Sequence, residues 1–146
     1  MKRVRALEAR DEERWRKLFD GYLEFYEEIV PQAVIDATWA RLLARSDNMM
    51  CLVAEDPAAD LAGFANLLFH RSTWSPAWYC YLEDLFVDPA VRGGGFGKAL
   101  IEATYDEADR RGATRTYWAT NASNATARRL YDQLGELTPF VQYRRR

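Results

Sequence analysis

Three features of the sequence predict a single α/β domain with a mixed, mostly antiparallel central sheet and helices on both faces. Apolar residues recur at helical spacing in two stretches near the start. Two apolar runs are divided by a turn at 56–60, and a strand-like run at 78–87 is joined to a helix by a glycine cluster. A hairpin combined with a strand-helix-strand crossover gives a mixed sheet. With 146 residues, 49% of them hydrophobic and 14% aromatic, the chain has the size and apolar content for one core, so residues 1–146 are read as one domain.

Val4 to Glu8 alternates briefly as a strand does. From Asp11, which suits an N-cap, apolar positions recur at Trp15, Leu18, Phe19, Tyr22 and Leu23, the spacing of one helical face. A second helix is expected over 31–45. It has Val34, Ile35, Trp39, Leu42 and Leu43 on one side, and Pro31 in its first turn. Met49 to Glu55 and Leu61 to Phe69 flank Asp56-Pro-Ala-Ala-Asp60, whose Pro and Asp favour a turn, so the pair reads as a hairpin. Trp78 to Val87 is aromatic and β-branched and stops at Asp88-Pro89, because proline has no amide to donate. Past the glycines, Ala99, Leu100, Ala103 and Ala108 belong to a helix ending near Arg110-Arg111-Gly112. Thr114 to Thr120 returns to strand. Ser123 or Asn124 caps a last helix over Ala125 to Leu134, Gly135 stops it, and Phe140 to Tyr143 is expected as a closing strand.

Composition removes several functions. Twenty basic against 22 acidic residues leave a net charge of −2, without the basic footprint of a nucleic-acid binder. Cys51 and Cys80 each sit inside an apolar stretch, lack the spacing of a zinc site or a disulfide framework, and read as buried thiols. His70 is the only histidine and cannot build a metal cluster, so it is read as structural or surface and no metal is expected. The first residues carry no apolar stretch of signal-peptide length, and no segment is long enough to span a bilayer, which gives the expectation of a cytoplasmic protein without membrane partners.

Chemistry concentrates at Arg92-Gly93-Gly94-Gly95-Phe96-Gly97-Lys98. Glycines where a strand meets a helix free the backbone for unusual dihedrals. The helix N-terminus, with Arg92 and Lys98 beside it, favours a phosphate or pyrophosphate. A nucleotide-triphosphate loop would need glycine at Arg92 and Ser or Thr at Ala99. A dinucleotide fingerprint would need glycine at Lys98 or Leu100. Both fail, leaving a plain connecting turn or another anion loop. The Arg-x-x-Gly-x-Gly pattern of Arg92, Gly95 and Gly97, after Leu85-Phe86-Val87-Asp88-Pro89, resembles the coenzyme A pyrophosphate loop of GNAT acetyltransferases. Tyr81-Leu-Glu-Asp-Leu-Phe-Val87 is similar to the preceding strand of polyamine acetyltransferases. Tyr105 to Asp109, Thr116-Tyr117-Trp118 and Asn124 to Tyr131 resemble fungal GNAT enzymes acting on histones, polyamines or D-amino acids. The likeness covers about residues 78–143; the first half agrees only in element order.

The resemblance implies a GNAT fold and direct acetyl transfer from acetyl-coenzyme A to a primary amine: a small amine, polyamine, amino acid, or peptide or protein lysine. An alkylamine with a pKa near ~10.4 is neutral in only about one molecule per few thousand at pH 7, so a base is useful. By resemblance that base is Glu83. Strand alternation is expected to send its neighbour Asp84 to the opposite face. Tyr131 matches the tyrosine that protonates the departing thiolate. Leu85, Phe86, Val87, the segment from Arg92 through Gly93, Gly94, Gly95, Phe96 and Gly97 to Lys98, Asn124 and Tyr131 would hold the coenzyme. Glu24, Tyr26, Glu27, Glu28, Trp74, Trp78, Tyr79 and Asp84 would line the acceptor pocket, where carboxylates and aromatic faces suit a cation.

Two rival readings are carried. A non-catalytic acyl-coenzyme A sensor could use the same loop, since binding is not turnover. A nucleic-acid or chromatin-associated role rests only on Arg128-Arg129 and Arg144-Arg145-Arg146. After Gly135 there is chain for one substantial strand, so a second subunit is expected to complete the sheet edge in a homodimer.

Overall fold

A computed structural model describes residues 3–58 and 60–146; Ala59, in the expected 56–60 turn, and the N-terminal Met1 and Lys2 lie outside them. The strands are β1 (Arg3–Ala6), β2 (Met49–Asp56), β3 (Asp60–Ser72), β4 (Ser75–Val87) and β5 (Arg115–Tyr117), and the helices are α1 (Glu12–Phe25), α2 (Gln32–Ala44), α3 (Phe96–Arg110) and α4 (Ala125–Leu134). The strands pair in chain order. β1 to β4 are antiparallel and β5 joins β4 in parallel after the α3 crossover. This is the expected mixed, mostly antiparallel sheet.

Period-two alternation divides the core into two layers. Met50, Leu52 and Ala54 of β2 face α3 with Leu100, Ile101 and Ala108. Cys51 and Val53 face the other way, against Trp15, Leu18 and Phe19 of α1 and Ile35, Trp39 and Leu42 of α2. Trp15 is fully buried and stacks on Phe19 at 4.9 Å. Cys51 and Cys80 are buried free thiols, and burial pushes Cys80 up to about 11. Arg45 ends α2 in the left-handed conformation, and Gly112 follows α3 at φ 71°.

Several details depart from the sequence reading. Asp11 precedes α1 but does not cap it with its side chain; it takes two hydrogen bonds from Arg5, at 2.8 and 2.9 Å, and one from the Glu8 amide at 2.8 Å. A buried carboxylate with a guanidinium in reach pairs with it in preference to free amides. Val34 is 46% exposed, because α2 reaches the core with the narrower face of Ile35, Trp39 and Leu42. β3 and β4 run longer than expected, meeting at a hairpin tip around Trp74. β5 is shorter: Trp118 leaves the strand to pack on Tyr105 and Tyr131.

Phe140 to Tyr143 is not a strand. Among the described residues the segment has no pairing partner, and Pro139 has no amide to offer one. Phe140, Val141 and Tyr143 are consequently 79%, 78% and 93% exposed.

The expectation that Glu83 and Asp84 face opposite ways is also corrected. On β3, Asn66 pairs with Asp84 while Leu67 pairs with Leu82, so Glu83 is an extra residue with no partner. Leu82 and Leu85 both pack in the α3-side layer although they are three residues apart, which a regular strand does not allow. The β-bulge absorbs the surplus and leaves Glu83 and Asp84 together on the α1 side.

Candidate active site

β4 holds the two halves of the site together. Beyond Tyr81, opposite Tyr117, β5 no longer accompanies it, so its main chain from Leu82 to Val87 lacks a strand partner on that edge among the described residues. Unpaired strand amides and carbonyls are ready to bind an extended ligand. Leu85 and Val87 turn their side chains into the α3-side layer and Phe86 is buried toward α1, so all three can serve a ligand only through backbone.

At its end, β4 passes into a loop that is fixed at the root. Asp88 caps a short 3-10 turn through the Ala90 amide at 2.9 Å and is gripped by Arg14 of α1 at 2.6 Å. That guanidinium holds the Asp88 carboxyl below its ordinary range. Arg14 also donates to the Leu61 carbonyl at 3.1 Å, tying helix, strand and loop into one unit. Gly93 and Gly95 then adopt φ of 86° and 83°, a region that side chains disfavour, and Gly95 is the N-cap of α3. The first amides of α3 therefore open toward the loop, where the helix dipole favours an anion. Arg92 and Lys98 are exposed, and neither has a carboxylate within ion-pair distance among the described residues. Arg92 hovers 5.8 Å from the Phe25 ring and 5.9 Å from Phe86. Gly94 and Gly97 complete the loop, Gly97 lying where a Cβ would come within 3.3 Å of Leu130. Phe96 is buried beneath it.

α4 brings the last residues. Asn124 caps it by accepting from the Ala127 amide at 3.4 Å, and its amide donates to Thr120 at 3.2 Å. Tyr131 packs edge-on against Trp118 at 5.6 Å, and Tyr105 bonds the Leu134 carbonyl at 2.6 Å. Gly135 lets Trp118 approach closely, since a Cβ would lie 3.0 Å from its ring. Burial pushes the Tyr131 phenol up to about 12, with Tyr26 adding to the shift. The last helix therefore addresses the end of α1.

The bulged carboxylates sit differently from each other. Asp84 is largely enclosed; it accepts from Asn66 Nδ2 at 2.9 Å and from the Tyr22 hydroxyl. Asn66 is 2% exposed and its other side-chain atom, Oδ1, has no hydrogen-bond partner, so the Asp84 bond is its one polar contact. Glu83 is exposed and bonded to the Tyr81 hydroxyl. Burial is the main force raising both carboxyls above their ordinary values; for Glu83 the neighbouring Asp84 adds to it, and hydrogen bonds oppose it at both. Tyr22 is itself raised, by burial and then by Asp84.

The other expected acceptor residues scatter. Tyr26, at the end of α1, faces Tyr22 at 5.0 Å. Tyr79 lies on the α1 side, but its neighbour Trp78 points through to the α3 side, under Arg71 at 3.9 Å, and is removed from the pocket by alternation. Trp74 stands 78% exposed at the hairpin tip. Glu24, Glu27 and Glu28 are exposed around the end of α1 and make no side-chain hydrogen bond or ion pair among the described residues. Sequence reading missed Tyr22, Asn66 and Tyr117 as site residues. Asn66 carried a signal, being the sole polar side chain in the run Leu61 to Phe69.

A strand edge without a strand partner among the described residues, a glycine loop opening a helix, and Tyr22 bonded to one of two adjacent carboxylates suit a transferase of coenzyme A-linked acyl groups. Residues 15–135 match the Acetyltransferase (GNAT) family, and the chain belongs to it. It is an acetyl-coenzyme A-dependent N-acetyltransferase. It is 35% identical over 143 residues to the D-amino-acid N-acetyltransferase HPA3 of Saccharomyces cerevisiae, covering 97% of this chain and 89% of that protein. It is also 34% identical to the N-acetyltransferase YhfO of Bacillus subtilis, covering 96% and 94%. Among solved structures, a probable acetyltransferase superposes with a TM-score of 0.85 at 22% identity, covering 99% of this chain and 97% of the other. AAC(6')-Iy in complex with the bisubstrate analog CoA-S-monomethyl-acetylneamine does so with 0.82 at 22%, covering 100% and 99%. At these identities the superpositions speak for the fold.

An acid whose folded pKa lies above its unfolded value holds its proton more tightly when folded, so stability rises as pH falls through that window and ionisation at neutral pH works against the fold. Asp84 is in that position. Urea unfolding at pH 7 is therefore expected to find Asp84→Asn at least as stable as the parent, while its turnover falls.

Proposed function

We propose that the chain acetylates a primary amine of a small molecule, amino acid, polyamine or peptide, with Glu83 as general base and Tyr131 as general acid. One observation carries this reading: the bulge turns Glu83 and Asp84 to the same side, where Tyr22 of α1 donates to Asp84. The cationic acceptor is held by Asp84 and Tyr22, with Tyr26 as a wall. Glu83, nearer to solvent, takes the amine proton directly or through water. Tyr131 remains a phenol at any working pH and donates toward the sulfur that leaves. Arg92, Lys98 and the amides from Gly93 to Lys98 bind the pyrophosphate, the free edge of β4 takes the pantetheine, and Asn124 supports it from α4. No metal is required by this scheme.

The protein acts in the cytoplasm without nucleic acid as a ligand. It forms a homodimer in which the bare β5 edge and the exposed apolar tail from Leu137 to Tyr143 are covered by a second copy. HPA3 is named for acetylating D-amino acids, which favours an amino-acid-like acceptor here.

Three measurements test these assignments. Calorimetry with acetyl-coenzyme A should give binding that Gly95→Glu weakens at least tenfold, about 1.4 kcal/mol, because the substitution puts both a side chain and a negative charge into a left-handed anion cradle. Unchanged binding would remove the loop from the donor site. In pH profiles of kcat/KM, the parent should lose activity as pH falls through the raised Glu83 pKa; Glu83→Gln should flatten that limb, and Tyr131→Phe should lower kcat by about 10²–10⁴-fold. Wild-type turnover in both variants would refute the roles. Light scattering at high concentration should return a dimer mass, and a strictly monomeric one would contradict the assembly.

A further inference from the structure

Past the carboxylates, the α1 side of β3, β4 and β5 carries a row of side chains that belongs to neither core layer. Tyr81 and Tyr117 lie ring to ring at 4.8 Å, and Tyr79 is 6.3 Å from Tyr117. His70 locks the row: Nδ1–H donates to the Arg71 carbonyl at 2.8 Å, which leaves Nε2 to accept the Tyr117 hydroxyl at 2.6 Å. At the far end, Arg115 lays its guanidinium over Tyr79 at 4.6 Å and stands 5.9 Å from Trp74. Thr114 secures this end of β5 to β4, its amide donating to the Trp78 carbonyl at 2.9 Å and its hydroxyl bonding Ser75 at 2.8 Å. Arg115 has no carboxylate within ion-pair distance among the described residues, unlike Arg5, Arg14 and Arg16.

The surface is thus bipolar, with two carboxylates at one end, a cation at the other and aromatic rings between. Its length follows from the register. Asp84 pairs with Asn66 and Tyr79 with His70, four residues apart on β3, which is about 13 Å at the rise of a strand. Hydrogen-bond contacts of about 2.8 Å at each end take up part of that distance, leaving roughly 10 Å between the charged groups of a ligand laid over the surface.

We infer that this surface selects acceptors whose amine is followed, roughly 10 Å away, by a carboxylate that Arg115 reads, the span of a short extended peptide of about three residues at 3.3–3.6 Å each. This rests on the acetyl-transfer reading above and narrows its acceptor. The amine enters between Glu83 and Asp84, the middle of the ligand lies on Tyr81 and Tyr117, and the distal carboxylate meets the guanidinium in paired hydrogen bonds. A polyamine of the same length would set a second cation against Arg115, so the surface works against that class. Arg115 touches the acceptor far from the reacting atoms and sets specificity.

Trialanine and trialanine amide differ only at the end Arg115 would read. Thiol release with the parent enzyme should give a kcat/KM ratio of acid to amide of about fivefold or more, the modest size expected for an exposed charge pair. Arg115→Ala should bring the ratio near one, Arg115→Lys should restore most of it, and Arg115→Glu should invert it. Because the readout is a ratio within each variant, loss of folded protein does not move it. A parental ratio near one, a ratio unaffected by Arg115→Ala, or faster turnover of spermidine than of trialanine would overturn the inference while leaving acetyl transfer standing. Absence of turnover with every amine, spermidine included, would overturn both.

Discussion

The β3–β4 ladder contains one residue too many on the β4 side, and the active-site chemistry hangs on how the sheet absorbs it. Without the bulge, alternation would bury one of Glu83 and Asp84 against α3, in a layer of Leu82, Leu100 and Ile101 that has no partner for a charge. With it, both carboxylates emerge where α1 supplies a hydroxyl and β3 supplies an amide. The same strand then continues to an edge without a strand partner among the described residues and to the glycine loop, so on the proposed assignment donor and acceptor chemistry are registered against each other by covalent spacing along a single element.

Polar groups divide the work around that strand. Asn66 and Tyr22 offset part of the cost of enclosing the Asp84 carboxylate, and Glu83 lies nearer to water. At the glycine loop, Arg92 and Lys98 make no ion pair among the described residues, whereas Arg5, Arg14 and Arg16 are each paired. Paired arginines hold the fold.

The layers of the fold and the glycine turn were legible in the sequence because they obey local rules. Trp15, Leu18 and Phe19 repeat with a helix, Met50 to Ala54 alternate with a strand, and Gly93 and Gly95 stand where only glycine is easy. The acceptor side was not, since its residues are assembled by register. Nothing in Tyr81-Leu-Glu-Asp announces a bulge, which needs the ladder to Asn66 and Leu67, and Trp78 could be separated from Tyr79 only by knowing which side faces α1. The tail from Leu137 to Tyr143 has the composition of a strand, but strand formation needs a neighbour, and the described chain supplies none.

α1 acts as a rod between two attachments. Near its start, Arg14 is clamped to Asp88 at the root of the coenzyme loop; two turns on, Tyr22 reaches Asp84, and one turn later Tyr26 looks toward Tyr131. The donor end of the rod is fixed by an ion pair and a backbone bond, while its acceptor end opens into exposed glutamates and the surface of β5. On the proposed assignment, a scaffold made this way can exchange one amine for another through changes beyond Tyr26 and along β5, and leave the machinery for carrying the acetyl group untouched. It works like a tool with a fixed handle and a replaceable bit.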